Sequence, residues 1–152
     1  MENERQNEVE FLISEFATRL SLSYAPGIKA GFPSPAEAYE VDMLDFNKDM
    51  IRHPDTTFDG RVRGDSMMNA GINDGDILVI DRSLTPNNGD VVVAYYDNKF
   101  TVKFFDSSRI SEGFIYLVPA NEQFKPIKIT ADDQFTVWGV VMYTIKNWHA
   151  QR

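Results

Sequence analysis

The sequence predicts a mostly β fold: a compact barrel-like or sandwich domain preceded by an N-terminal arm carrying an amphipathic helix. Three observations predict it. From Phe58 onward, short apolar runs alternate with turn signals at close spacing, the pattern of an all-β domain. Ahead of them, residues 23–36 hold three prolines and two glycines, which block both helix continuation and central-strand pairing. Before that stretch, apolar residues recur at spacings of three and four.

In chain order, the arm comes first. Val9, Leu12, Ile13, Phe16, Ala17 and Leu20 make one apolar stripe, with Glu8, Glu10, Glu15 and Arg19 between them. That stripe predicts a helix packed on its own domain or on a partner subunit. The segment Ser23-Tyr24-Ala25-Pro26-Gly27-Ile28-Lys29-Ala30-Gly31-Phe32-Pro33-Ser34-Pro35-Ala36 reads as an exposed, extendable linker, backbone that a protease can hold as a strand. A short helical piece is predicted around Met43 to Met50, ended by His53-Pro54. Ile77-Leu78-Val79-Ile80 follows the turn signal Asn73-Asp74-Gly75-Asp76 and reads as a strand. Val91–Tyr96 and Phe100–Phe105 flank Asp97-Asn98-Lys99 as a hairpin. Phe114–Val118, Ile127–Ile129 and Phe135–Ile145 supply the remaining strands.

Composition narrows the function. The chain has 152 residues, enough for one domain with a sizeable core. Its net charge of −8 repels phosphate and disfavours non-specific coating of nucleic acid. A helix-turn-helix reader needs at least two helices ahead of the body, so direct sequence-specific DNA binding is not expected. With no cysteine, disulfides, thiolate metal sites and cysteine nucleophiles are excluded. The amino terminus is charged and polar, and no apolar run approaches the ~18 residues of a membrane span. Neither a signal peptide nor a membrane anchor is expected, and the cytoplasm is the expected compartment.

Two features could carry chemistry. Gly64-Asp65-Ser66-Met67 places a serine on a tight bend, where the hydroxyl can project and neighbouring N–H groups could receive an oxyanion. Serine is common in turns, so this feature is weak alone. Phe100-Thr101-Val102-Lys103-Phe104-Phe105 sets a lysine in an apolar strand. Such a lysine either snorkels to solvent or is buried, its amine then deprotonated more easily and able to take a serine's proton. Other schemes are poorly supported. His53 precedes a proline and His149 lies in a polar tail; Asp74, Asp76 and Asp81 read as turn and strand-end residues. No His/carboxylate cluster has metal-ligand spacing, and Gly71 and Gly75 lack the lysine of a phosphate-binding loop. No cofactor is expected.

Together these segments resemble the LexA/UmuD family of self-cleaving serine peptidases, its UmuD-like branch most closely. Gly64-Asp65-Ser66-Met67 with Gly71-Ile72-Asn73-Asp74-Gly75-Asp76 looks like the family's serine motif, and Phe100-Thr101-Val102-Lys103 like its lysine strand. Leu117-Val118-Pro119-Ala120-Asn121 and Val137-Trp138-Gly139-Val140-Val141 match later strands, and Ala30-Gly31-Phe32-Pro33-Ser34-Pro35-Ala36 is similar to the stretch around the scissile bond. The resemblance implies a LexA-like peptidase domain with Ser66 as nucleophile and Lys103 as its base. It implies cleavage at Ala30–Gly31, dividing the chain into an arm, 1–30, and a peptidase domain, 31–152. Gly31 and Ser66 are 35 residues apart; at ~3.3 Å per residue the bond can reach its own site or a partner's. The family's activity also implies partners: a homodimer, a RecA filament on single-stranded DNA that stimulates cleavage after DNA damage, and a UmuC-like polymerase subunit with which the product carries out error-prone translesion synthesis. The alternatives are a non-catalytic dimeric module regulating a polymerase and a repressor-derived domain without a DNA reader.

Overall fold

The computed structural model describes residues 8–12, 21–24, 42–45 and 50–149. The chain divides into two compact units. One holds residues 8–12 together with 56–149; the other includes residues 21–24 and 42–45.

The larger unit is one antiparallel sheet of eight strands. Its strands are β1 (Val9–Leu12), β4 (Thr57–Val62), β5 (Ile77–Asp81), β6 (Val91–Tyr96), β7 (Lys99–Asp106), β8 (Phe114–Val118), β9 (Ile127–Thr130) and β10 (Phe135–Ile145). Their order across the sheet is β1-β4-β5-β10-β6-β7-β8-β9. The sheet curls into a half-barrel, so that the start of the arm reaches β7, where the Glu8 amide donates to the Phe100 carbonyl at 3.0 Å. In the smaller unit, β2 (Ser21–Tyr24) pairs antiparallel with β3 (Asp42–Asp45).

The mostly β architecture agrees with the sequence reading, strand by strand, from β5 to β10. The β6–β7 hairpin turns on Asp97 and Asn98, whose φ angles of 52° and 61° are the paired left-handed conformations of a tight turn that follows the twist of its strands. β6 reads Val91-Val92-Val93-Ala94, and both its faces are covered: Val93 joins Leu78, Ile80, Val102 and Met67 in one core, while Val92 and Ala94 join Leu117, Ile129 and Val140 in another. A strand buried on both faces accounts for a continuous apolar run in place of alternation.

Three expectations are corrected. Val9–Leu12 forms a strand where the apolar stripe predicted helix, paired with β4 in the register Val9↔Val62 to Leu12↔Asp59. In this pairing Val9 is buried in the core and Glu10 is exposed, a period of two. The segment around Met43 to Met50 starts as strand β3, through Asp45, in place of a helix. Ser23 and Tyr24, read as the start of the linker, end β2. The rest of the predicted helix from Ile13 to Leu20, the linker from Ala25 to Ala36, and the Ala30–Gly31 bond within it lie outside the described residues.

Candidate active site

Gly64 sits at φ 97°, a conformation that favours glycine, and turns the chain out of β4 into the bend that carries Ser66. Its amide donates to Asp74 Oδ1 at 2.8 Å, which ties the bend to the following turn. A second tie comes from the segment after β8. Asn121 Nδ2 donates to the Asp65 carbonyl at 2.9 Å, the Ala120 amide to the Ser66 carbonyl at 2.8 Å, and the Asn69 amide to the Ala120 carbonyl at 2.8 Å. Asn121 is itself buried, and its Oδ1 accepts from the Gln123 amide at 3.0 Å. Ser66 is thereby held from both sides, and Met67, beside it, is packed into the core.

Lys103 lies in the middle of β7, opposite Val92 of β6. It does not snorkel: only 4% of it is exposed, and Ser66 is 2% exposed. The period of two along β7 puts Thr101 on the same face as Lys103. Lys103 Nζ donates to Thr101 Oγ1 at 2.7 Å and to Ser66 Oγ at 3.0 Å. The two residues singled out in the sequence are 37 positions apart in the chain and in direct contact in the fold.

A third group, which sequence reading assigned to the polar side of a helix, completes the cluster. The Glu8 carboxylate accepts from Lys103 Nζ at 2.5 Å, and also from Thr101 Oγ1 and Ser66 Oγ. Burial pushes the Lys103 amine below its ordinary value of 10.5; the Glu8 charge and its hydrogen bond act against that change, and Lys99 adds to it by repulsion.

Asp76 and Asp81, read as turn and strand-end residues, keep those roles, as Asp74 does in its bond with Gly64. Asp76 pairs with Lys146 and caps the Asn73 amide at 2.8 Å, and Asp81 accepts from Thr56 at 3.1 Å and from the Ser83 hydroxyl at 2.7 Å. His149 follows the last strand on an exposed tail.

The arrangement is a hydroxyl, an amine of lowered basicity and a polar neighbour for that amine, all removed from water. That combination suits acyl transfer by a serine. Comparison with known proteins points the same way. A family model described as Peptidase S24-like matches residues 23–142. The chain belongs to the Peptidase S24-like family. Its UmuD-like relatives include protein MucA of Salmonella typhimurium, 42% identical over 123 residues that make up 80% of this chain and 82% of MucA. Protein ImpA of the same organism is 48% identical over 80 residues, 53% of this chain and 55% of ImpA. The LexA repressor of Clostridium perfringens is 34% identical over 123 residues, 81% of this chain and 59% of the repressor. The S24 chain is thus a UmuD-like member of the LexA/UmuD group of self-cleaving serine peptidases, as its motifs suggested. No helix among its described residues is long and apolar enough to cross a membrane.

Thr101, Asn121 and Glu8 were not identified as site residues in the sequence. Thr101 could have been found from its place two before the lysine, and Asn121 from a polar side chain inside a recognisable motif. Nothing local distinguishes Glu8 from the other acidic residues of the arm.

Proposed function

We propose that this chain is an autoproteolytic UmuD-like protein that cleaves its own Ala30–Gly31 bond, with Ser66 as nucleophile and Lys103 as general base. The observation that carries the reading is the buried Lys103 Nζ at 3.0 Å from Ser66 Oγ. In its neutral form the amine takes the hydroxyl proton as Ser66 Oγ attacks the Ala30 carbonyl carbon. The resulting oxyanion needs N–H donors, for which the Gly64–Met67 bend is the candidate. Collapse breaks the C–N bond, and the Lys103 ammonium returns the proton to the departing Gly31 amine. Water, deprotonated by the same amine, then attacks the ester between Ala30 and Ser66, and the ammonium returns that proton to Ser66 Oγ as the C–O bond breaks, releasing residues 1–30 and leaving 31–152. A substrate tethered to its enzyme has a high effective concentration, so modest chemical power suffices.

The likeness to UmuD-like proteins extends the proposal to its setting: a cytoplasmic homodimer, cleavage stimulated by a RecA filament on single-stranded DNA, and a product that serves a UmuC-like polymerase in translesion synthesis during the SOS response. The test is intact mass. Purified protein should convert to a species beginning at Gly31, faster with RecA filaments present. Ser66→Ala and Lys103→Ala should each abolish conversion, and cleavage surviving either change would refute the assignment.

A further inference from the structure

In the structure the Ser66–Lys103 pair is occupied, and by a group from the segment that cleavage at residue 30 would remove. A lysine ammonium has three donors, and Lys103 Nζ has three acceptors around it: Glu8 Oε1, Thr101 Oγ1 and Ser66 Oγ. A neutral amine has only two N–H groups and a lone pair, and the lone pair is what a general base uses. An ionised carboxylate only accepts, so the Ser66 hydroxyl points its hydrogen at Glu8 and receives one from Lys103. Attack requires the reverse polarity, with the hydroxyl donating to the amine.

The arm that delivers Glu8 is built into the sheet. Its strand pairs with β4 through four residues, Val9 to Leu12. Val9 fills the space that Gly60 leaves by having no side chain; a Cβ at position 60 would stand 2.6 Å from Val9 Cγ1. Phe11 lies edge-on to Phe100, with ring centroids 4.7 Å apart, and 4.3 Å from the Trp138 ring centroid. On either side of the carboxylate the backbone is held as well, by Glu8 N to Phe100 O at 3.0 Å and Arg63 N to Glu8 O at 2.7 Å.

We propose that the arm is an intramolecular inhibitor whose Glu8 carboxylate holds the Ser66–Lys103 pair in a resting state, and that cleavage requires β1 to leave β4. The proposal rests on the peptidase reading above and adds its regulation. Departure of Glu8 would act twice. It clears the position beside Ser66 that a peptide carbonyl must take, and it strips Lys103 of the counter-ion that favours its charged form. Among the described residues, the charged groups acting on the amine are Glu8 from the arm and Lys99 from β7; β6 faces it with Val92, and its other hydrogen-bond partners are the uncharged hydroxyls of Ser66 and Thr101. Whatever stimulates cleavage then needs only to peel one short edge strand from the sheet.

The experiment follows conversion of the full-length chain by intact mass across a pH series for the wild type, Glu8→Gln, Glu8→Ala and Val9→Asp. Glu8→Gln keeps the shape and removes the charge, so it guards against misfolding of the other two. All three variants should convert at least about tenfold faster near neutral pH. The Glu8 variants should also reach half-maximal rate at lower pH, because lowering the amine's pKa by about one raises its neutral fraction about tenfold. Rates equal to or below wild type in all three variants would overturn the inhibitory role and leave the peptidase reading intact. No conversion in any protein up to alkaline pH, including wild type with RecA filaments, would refute the peptidase reading and this regulation with it.

Discussion

Raising the pH should accelerate self-cleavage, and the shape of that dependence tests the Lys103 assignment most directly. The amine must be neutral to take the Ser66 proton, so the rate should climb about tenfold per pH unit while the ammonium dominates and level off once it is titrated. Burial, the largest influence on the amine, places that plateau below the ordinary lysine value of 10.5; Glu8 draws it back upward and Lys99 pushes it down. The lowered pKa also enters stability with a definite sign. Because the folded pKa lies below the unfolded one, the unfolded chain binds more protons between them. Stability is therefore lowest below the folded pKa and rises as pH increases through the interval toward 10.5. The gain is about 1.4 kcal/mol for every pH unit that separates the folded from the unfolded pKa. Two measurements check this. Intact mass from about pH 7 to about pH 11 gives the rate profile, a range that spans the free lysine titration. Urea unfolding of Ser66→Ala, which cannot consume itself, gives the stability profile, with Ser66→Ala/Lys103→Met as the reference that lacks the titrating amine. A cleavage rate flat or falling with pH, or a half-point at or above 10.5, would refute the role of a buried, deprotonated Lys103.

Two further perturbations address what holds the site. Asn121→Ala removes the donor to the Asp65 carbonyl and the acceptor for the Gln123 amide; in the Ser66→Ala background it should cost about 1–3 kcal/mol in urea unfolding. In the active chain it should slow cleavage about tenfold or more by loosening the serine bend, whereas an unchanged rate would mean the bend holds without it. Leu117→Ala, at a fully buried position of the second core, should cost about 2–5 kcal/mol by calorimetry or urea, and a loss under about 1 kcal/mol would show that this core is loosely packed.

Much of the site was readable because its signals are local. The lysine stands out because it interrupts an apolar strand, whereas Thr101, which a period of two along β7 puts on the same face, was missed. Asp97-Asn98 carries the chemistry of its own turn, and the apolar run of β6 needed no partner to be recognised as a strand. The arm was different. Val9, Leu12 and Phe16 satisfy a helical stripe, while Val9, Glu10 and Phe11 also satisfy the alternation of a strand, and so short a pattern does not separate the two.

By itself, the sequence determined a mostly β chain with a serine on a glycine-led bend and a lysine in an apolar strand, because turn chemistry and strand alternation are properties of neighbouring residues. Tertiary structure alone decided three things: that the lysine is buried against the serine, that the arm enters the sheet as an edge strand, and that Glu8 closes over both. Each depends on a partner far along the chain. β4 supplies the backbone and the Gly60 space that make Val9–Leu12 a strand, and the curl of the sheet brings Glu8 to Ser66 across 58 residues of chain. No local pattern encodes such distances; they follow from which surfaces the closed core leaves open for the arm to fill.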